Sequence, residues 1–204
     1  MKIICIGRNY SDHARELGNT TPEEPVFFCK PDSAVLLKGN PFVIPEWSQA
    51  IHYEVELVFR INRLGKHIEE RFAHRYYSEV GLGIDFTARD VQDELKKKGL
   101  PWEKAKAFDG SAVISESFIP LGELPDPTHI RFRLEKNGEV VQQGNSRDMV
   151  FQPDALVAYV SRYMMWKMGD LLYTGTPSGV GPVAPGDLLE GFLEDRNMFS
   201  VRVR

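Results

Sequence analysis

The run Ala50-Ile51-His52-Tyr53-Glu54-Val55-Glu56-Leu57-Val58-Phe59 constrains this chain more than any other stretch. Its β-branched and aromatic residues suit a strand, and strand side chains alternate between two faces. Tyr53, Val55, Leu57 and Phe59 then share an apolar face, while His52, Glu54 and Glu56 share the opposite one. Two glutamates stand side by side. At about 4 Å and an effective dielectric near 20, their carboxylates would repel by roughly 4 kcal/mol, a large share of a small domain's stability. Water on a solvated sheet face relieves that repulsion, and so does a bound cation; the run by itself leaves both open.

The remainder of the chain is organised as a β-rich unit. Strand signals bounded by Gly, Pro, Asn or Asp fall at Ile3 to Ile6, Val26 to Cys29, Tyr53 to Ile61, Val80 to Phe86, Ile130 to Glu135, Val140 to Gln143, Asp170 to Thr174 and Phe199 to Val203. Asn137-Gly138, between "HIRFRLEK" and "EVVQQ", predicts a tight type I′ hairpin. Helices are fewer. "TARDVQDELKKKG" predicts one with Thr87 as N-cap, Asp90 as a capping-box variant, cations in the last turn and Gly99 beyond it. "PDALVAYVSRYMMWKMG" predicts a second from Pro153 to near Gly169, with Leu156, Val160, Tyr163 and Met164 as its core stripe. A short helical turn is expected at "SDHAREL". With no repeat or linker in 204 residues, 42% of them hydrophobic, the expectation is a single α+β domain over 1–204 with mixed or antiparallel sheet.

Charge narrows the partners. The formal net charge is -4 and the basic residues are scattered apart from Lys96-Lys97-Lys98, so neither nucleic acid nor an anionic membrane is expected. The apolar run at the N-terminus stops after a few positions, short of a signal sequence or a membrane span, and reads as a first strand. Only Cys5 and Cys29 occur, outside any metal-binding spacing, which favours a reducing cytoplasm.

Asp85 interrupts the apolar strand "GLGIDF" directly before the Thr87 helix. As a structural residue it would serve a turn or cap; with Glu54 and Glu56 it supplies a third carboxylate, the donor type that Mg²⁺ or Mn²⁺ requires. His52 reads either as a donor supporting that set or as a surface imidazole. In "GRNYSDHAREL", His13 and Glu16 are three apart and share one face of a helical turn, either as a surface contact or as an oriented general base. Arg8 precedes them and suits a substrate carboxylate or an exposed loop. "LPWEKAKAFDGSAV" offers Lys104 and Lys106, and the turn "YTGTPSGVGPVAPGD" offers Thr174 and Thr176 but no nucleotide-binding pattern.

"GRNYSDHARE", "FFCKP", "HYEVEL", "GIDFTARDVQ", "GLPWEKAKAFD" and "GDLLYTGTPSGVGPVAPGD" occur in the order seen in the fumarylacetoacetate hydrolase family. The chain resembles that family from about Ile3 to Val203, most closely its short acylpyruvate hydrolase and oxaloacetate decarboxylase branch. The resemblance implies a β-roll or barrel-like core with a few peripheral helices, a homodimer, and bound Mg²⁺ or Mn²⁺. It implies Glu54, Glu56 and Asp85 as metal ligands, His13 and Glu16 as a catalytic dyad, Lys106 as the pocket lysine, and Arg8, Gln92 and Thr176 as substrate-binding positions. Lys104 matches no site position. "FDGSAVIS" departs from the F-D-x-F-x-P-x-G-P of many isomerase-like members, and the separate N-terminal domain of the fumarylacetoacetases is not present in the sequence.

The expected activity is cleavage of a C–C bond in acylpyruvates, or decarboxylation of oxaloacetate, through a metal-stabilised pyruvate enolate, with His13 and Glu16 activating water. An isomerase or tautomerase acting on oxaloacetate or an unsaturated 2-oxo dicarboxylate stands as the alternative. A non-catalytic metal-binding scaffold is the alternative from another class.

Overall fold

The structure, a computed structural model, describes residues 1–11 and 22–204. Among these the strands are β1 (Ile3–Gly7), β2 (Val26–Lys30), β3 (Ile51–Tyr53), β4 (Val55–Ile61), β5 (Tyr77–Asp85), β6 (Thr87–Ala88), β7 (Ala112–Ile114), β8 (Ile119–Pro120), β9 (Arg131–Lys136), β10 (Glu139–Asn145), β11 (Leu171–Tyr173), β12 (Gly181–Pro182), β13 (Leu188–Leu193) and β14 (Arg196–Arg202). The α-helices are α1 (Glu70–Ala73), α2 (Arg89–Lys98), α3 (Glu103–Lys106) and α4 (Pro153–Tyr163). This is the expected β-rich α+β fold: curled, mixed sheets form a half-barrel with helices at the periphery.

The largest sheet runs β2-β1-β11-β4-β5-β7, with β8 added beside β5. β1 and β11 are parallel and the other pairings antiparallel, which makes the sheet mixed. A second sheet, β10-β9-β13-β14, packs against it, and β12-β3-β6 forms a small third one. β4 is central and buried on both faces. Val55, Leu57, Phe59 and Ile61 join the main core, whereas Val58 packs on the opposite face with Ile3, Cys5, Leu171 and Tyr173. Truncating a fully buried leucine such as Leu57 costs about 2–5 kcal/mol. Glu56 points to the Val58 side and is 1% exposed, so the opening pair of glutamates does not lie on a solvated sheet face.

Several expectations are corrected in detail. The predicted strand from Tyr53 to Ile61 is broken at Glu54, which separates β3 from β4 and lets them enter different sheets. Thr87 does not cap α2: it lies in β6, its hydroxyl is taken by other partners, and Ala88 holds the N-cap position without a side-chain bond. Asp90 accepts instead from Ser48 Oγ at 2.7 Å and from the Gln49 amide at 2.8 Å, tying the helix start to the loop before β3. The α2 stop is as the sequence predicts, with Gly99 left-handed at φ 65°.

α4 begins at Pro153 as predicted but ends at Tyr163, because Met164 is extended and Trp166 turns back under the helix to donate its indole N–H to Val157 O at 3.0 Å. Tyr163 is 58% exposed, so it does not belong to the core stripe. The β9–β10 hairpin turns at Asn137 (φ 56°) and Gly138 (φ 84°), the two positive φ values a type I′ turn requires. The helical turn expected at "SDHAREL" lies almost entirely outside the described residues, as do His13 and Glu16.

Candidate active site

The break at Glu54 and the end of β5 bring carboxylates from two strands to one point. Glu54, Glu56 and Asp85 each place an oxygen within 4.8 Å of the others, all three side chains being buried. The pairing of β4 with β5 sets this geometry: Val55 stands opposite Ile84, and the Asp85 amide donates to Glu54 O at 2.8 Å. The carboxylates line a cavity together with Arg8, Phe28, Arg89, Gln92, Lys96, Trp102, Lys106 and Thr176. Thus the trio expected from sequence converges, and Arg8, Gln92, Lys106 and Thr176 surround it.

Three cations hold the trio. Lys106 Nζ lies 2.8 Å from Glu54 Oε2, 2.7 Å from Asp85 Oδ2 and 2.6 Å from Thr87 Oγ1, which engages all three of its donors. Burial alone would depress its pKa, but the carboxylates of Asp85 and Glu54 outweigh burial and raise it, so Lys106 stays charged. Arg89 donates to Glu54 Oε1 and, at 2.6 Å, to Gln92 Oε1. Lys30 is 2.8 Å from Asp85 Oδ1 and donates to the Lys106 carbonyl and to Ser111 Oγ at 2.9 Å. Formal charges of minus three and plus three therefore balance within the buried cluster.

Glu56 is the least compensated member. Burial, then the charges of Asp85 and Glu54, push its carboxyl well above the usual carboxylate range, against the opposing effects of Lys106 and of the Gly175 amide, which donates to Glu56 Oε2 at 2.6 Å. Gly175 can present that amide because it adopts φ 94° and because a Cβ there would lie 2.8 Å from Asn9 Cβ. Asn9 clamps the same region by donating to Thr174 O at 2.8 Å and Phe151 O at 3.0 Å. Between Gly7 and Asn9, Arg8 is held at φ 60°, a conformation uncommon outside glycine, and it faces the cavity. Gln142 fixes Thr176 by donating to its hydroxyl at 2.9 Å while accepting from the Val55 amide.

The donor set fits a hard divalent cation. All three candidate ligands are carboxylates, and Asp85 Oδ1 is buried without a hydrogen-bond donor despite the nearby Lys30 charge. A divalent ion would also counter the repulsion that pushes Glu56 upward. His52 is half-buried on β3, and burial together with Arg89 lowers its pKa, so it favours the neutral imidazole.

Sequence reasoning assigned no role to Lys30, Arg89 or Gln142. Lys30 ends an apolar strand and is 1% exposed, a signal available in "VFFCK". Arg89 and Gln142 carried none, since an arginine at a helix start and a glutamine in a hairpin strand are ordinary surface residues. Lys106, expected as the pocket lysine, lines the cavity, and its three donors go to Glu54, Asp85 and Thr87.

A profile of the C-terminal region of fumarylacetoacetate hydrolase matches residues 2–203. The chain is 42% identical over 188 residues to the mitochondrial oxaloacetate tautomerase FAHD1 of Bos taurus, covering 92% of this chain and 85% of that protein. It is 44% identical over 190 residues to a mitochondrial oxaloacetate decarboxylase of Dictyostelium discoideum, covering 93% and 87%. Its fold is similar to that of fumarylpyruvate hydrolase from Pseudomonas aeruginosa, solved with Mn²⁺ and pyruvate, with a TM-score of 0.92 and 36% identity over 100% of this chain and 89% of that one. With a buried three-carboxylate cluster in one cavity and a match along almost its whole length, this chain belongs to the fumarylacetoacetate hydrolase family of enzymes.

Proposed function

We propose that this protein is a divalent-metal-dependent enzyme that enolises a 2-oxo acid, with oxaloacetate keto–enol tautomerisation as its leading activity. The observation that carries this reading is the buried cluster of Glu54, Glu56 and Asp85 opening onto a cationic cavity. Similarity to oxaloacetate tautomerases supports the choice of reaction. Mg²⁺ or Mn²⁺ held by these carboxylates would supply Lewis-acid polarisation of the substrate's C2 carbonyl.

The chain's own residues divide the remaining work. Lys106, Lys30 and Arg89 fix the carboxylates against their mutual repulsion, which preorganises the site before substrate arrives. Arg8, Gln92 and Thr176 orient the substrate oxygens around the cavity. His13, assisted by Glu16, moves the proton between C3 and the C2 oxygen, the position where a general base is needed. Trp102 and Phe28 provide an apolar wall that keeps water from the reacting carbon.

C–C cleavage is the second reading, favoured by the similarity to oxaloacetate decarboxylase and fumarylpyruvate hydrolase. The same negative charge at the C2 oxygen develops when carbon dioxide or an acyl group departs from C3, with His13 and Glu16 delivering water in the acylpyruvate case. A homodimer in a reducing, aqueous compartment completes the proposal.

The test follows oxaloacetate tautomerisation by ultraviolet absorbance, and pyruvate release from oxaloacetate and acetylpyruvate, with Mg²⁺, with Mn²⁺ and with chelator. Tautomerisation that needs the ion and drops at least 100-fold in His13→Ala supports the reading. Undiminished turnover in chelator would refute the metal role, and pyruvate release outpacing tautomerisation would make cleavage the principal activity.

A further inference from the structure

The three consecutive lysines at the end of α2 do not share one environment. Lys97 and Lys98 are exposed, and Lys98 lies 3.7 Å from Glu94. Lys96 falls seven residues after Arg89 and four after Gln92, so the helical repeat puts it on their side of α2, where it lines the same cavity. It is half-buried. Its ammonium lies 5.6 Å from the centre of the Trp102 ring and, among the described residues, forms no hydrogen bond or ion pair. Arg8, which lines the same cavity, likewise has no ion-pair partner among the described residues.

A half-buried ammonium without a counter-ion is costly. Burial and the guanidinium groups of Arg89 and Arg8 all depress the Lys96 pKa, although Asp93 and Glu54 oppose them. The carboxylate cluster is already balanced by Lys30, Lys106 and Arg89, so the charges of Lys96 and Arg8 are surplus to it. An anion entering the cavity would satisfy both surplus charges at once, at a place distinct from the metal-binding carboxylates.

We propose that Lys96, together with Arg8, binds the carboxylate at the far end of a dicarboxylate substrate and thereby gives this cavity its preference for 2-oxo diacids over 2-oxo monoacids. This rests on the 2-oxo acid reading above for the head of the substrate, and adds the residue that recognises its tail. Lys96 is a specificity-determining residue here, remote from the reacting atoms. The competing structural role, a cation that covers Trp102 and complements the helix C-terminus, would alter stability without distinguishing ligands.

Malate and lactate provide the test. They share a 2-hydroxy carboxylate head, neither enolises, and only malate carries the second carboxylate. Calorimetric titration in Mg²⁺ is expected to give at least tenfold tighter binding of malate by the native protein. Lys96→Met should cut that preference at least fivefold by weakening malate alone, and Lys96→Arg should restore most of it. In turnover assays Lys96→Met should raise KM for oxaloacetate at least tenfold with kcat within threefold. Equal binding of the two ligands by the native protein, a preference that Lys96→Met leaves intact, or equal loss of both ligands would each overturn the proposal. Should the methionine variant misfold, Lys96→Gln repeats the measurement. A malate preference that depends on Lys96, found in a protein that fails to turn over oxaloacetate, would sink the catalytic reading and uphold this one.

Discussion

Lys106 and Lys96 line one cavity and do opposite things. Lys106 is 3% exposed, and every one of its donors is committed to Glu54, Asp85 or Thr87. Lys96 is half-buried and bonds to none of the described residues. The first is part of the fold, because removing it leaves the buried carboxylates of Glu54 and Asp85 with one cation fewer to balance them. The second is held ready for something the chain does not itself contain. Complete internal pairing marks a structural charge, and a surplus charge in a concave, partly dry place marks a ligand contact.

The largest expected effect comes from breaking the paired side. Lys106→Met should destabilise the protein by about 3–5 kcal/mol, the usual cost of taking one partner out of a buried ion-pair cluster. Chemical denaturation in chelator measures it, and a loss below about 1 kcal/mol would mean that the carboxylates are hydrated or protonated instead. Next comes the ion itself. Mg²⁺ at about 100 times its dissociation constant should stabilise the native protein by roughly 2.7 kcal/mol. Glu56→Gln should abolish that gain yet raise the unfolding midpoint in chelator, since it removes the carboxyl that burial, Asp85 and Glu54 disfavour while keeping the acceptor for Gly175. A Glu56→Gln protein still stabilised by Mg²⁺ would remove Glu56 from the ligand set.

On the unpaired side the same measurement should show almost nothing. Lys96→Met should cost less than about 0.5 kcal/mol of stability, since the charge it removes is half-buried and uncompensated, although it alters ligand choice. A loss comparable with that of Lys106→Met would erase the distinction. The smallest effect is expected from a paired group outside the cavity. Burial, and then the bond to Asp154 at 2.7 Å, raises the pKa of Tyr77 above its ordinary value. The unfolded chain therefore loses this proton first as pH rises, so the stabilisation is complete below about pH 10 and declines above it. Urea unfolding between pH 8 and 11 should show a shallower decline in Tyr77→Phe than in the native protein; identical slopes would exclude a contribution from this phenol.

Much of the architecture was legible because it is local. Alternation marked β4, Asn137-Gly138 marked the β9–β10 hairpin, Pro153 marked the start of α4 and Gly99 the end of α2. Failures occurred where a tertiary partner outbid a local preference. Thr87 looked like a cap until its hydroxyl was claimed by Lys106, and α4 stopped early because Trp166 is buried beneath it. The acid trio was legible in part: spacing put Glu54 and Glu56 on one face, but Asp85 joins them only through the register of β5 against β4. Lys30 and Arg89 escaped notice because nothing in their own neighbourhoods along the chain shows which opposite charge the fold brings beside them.

By itself, the sequence determined the strands, the apolar face of β4, the acidic residue types that suit a hard cation, and a family resemblance along nearly the whole chain. Tertiary structure alone decided which charges cancel. Pair interactions depend on distance and local dielectric, and both are set by the packing of strands and helices that brings residues 30, 54, 85, 89 and 106 together. Lys96, Lys97 and Lys98 make the point most directly: one residue type, three adjacent positions, and only the first turned by the helix into the cavity.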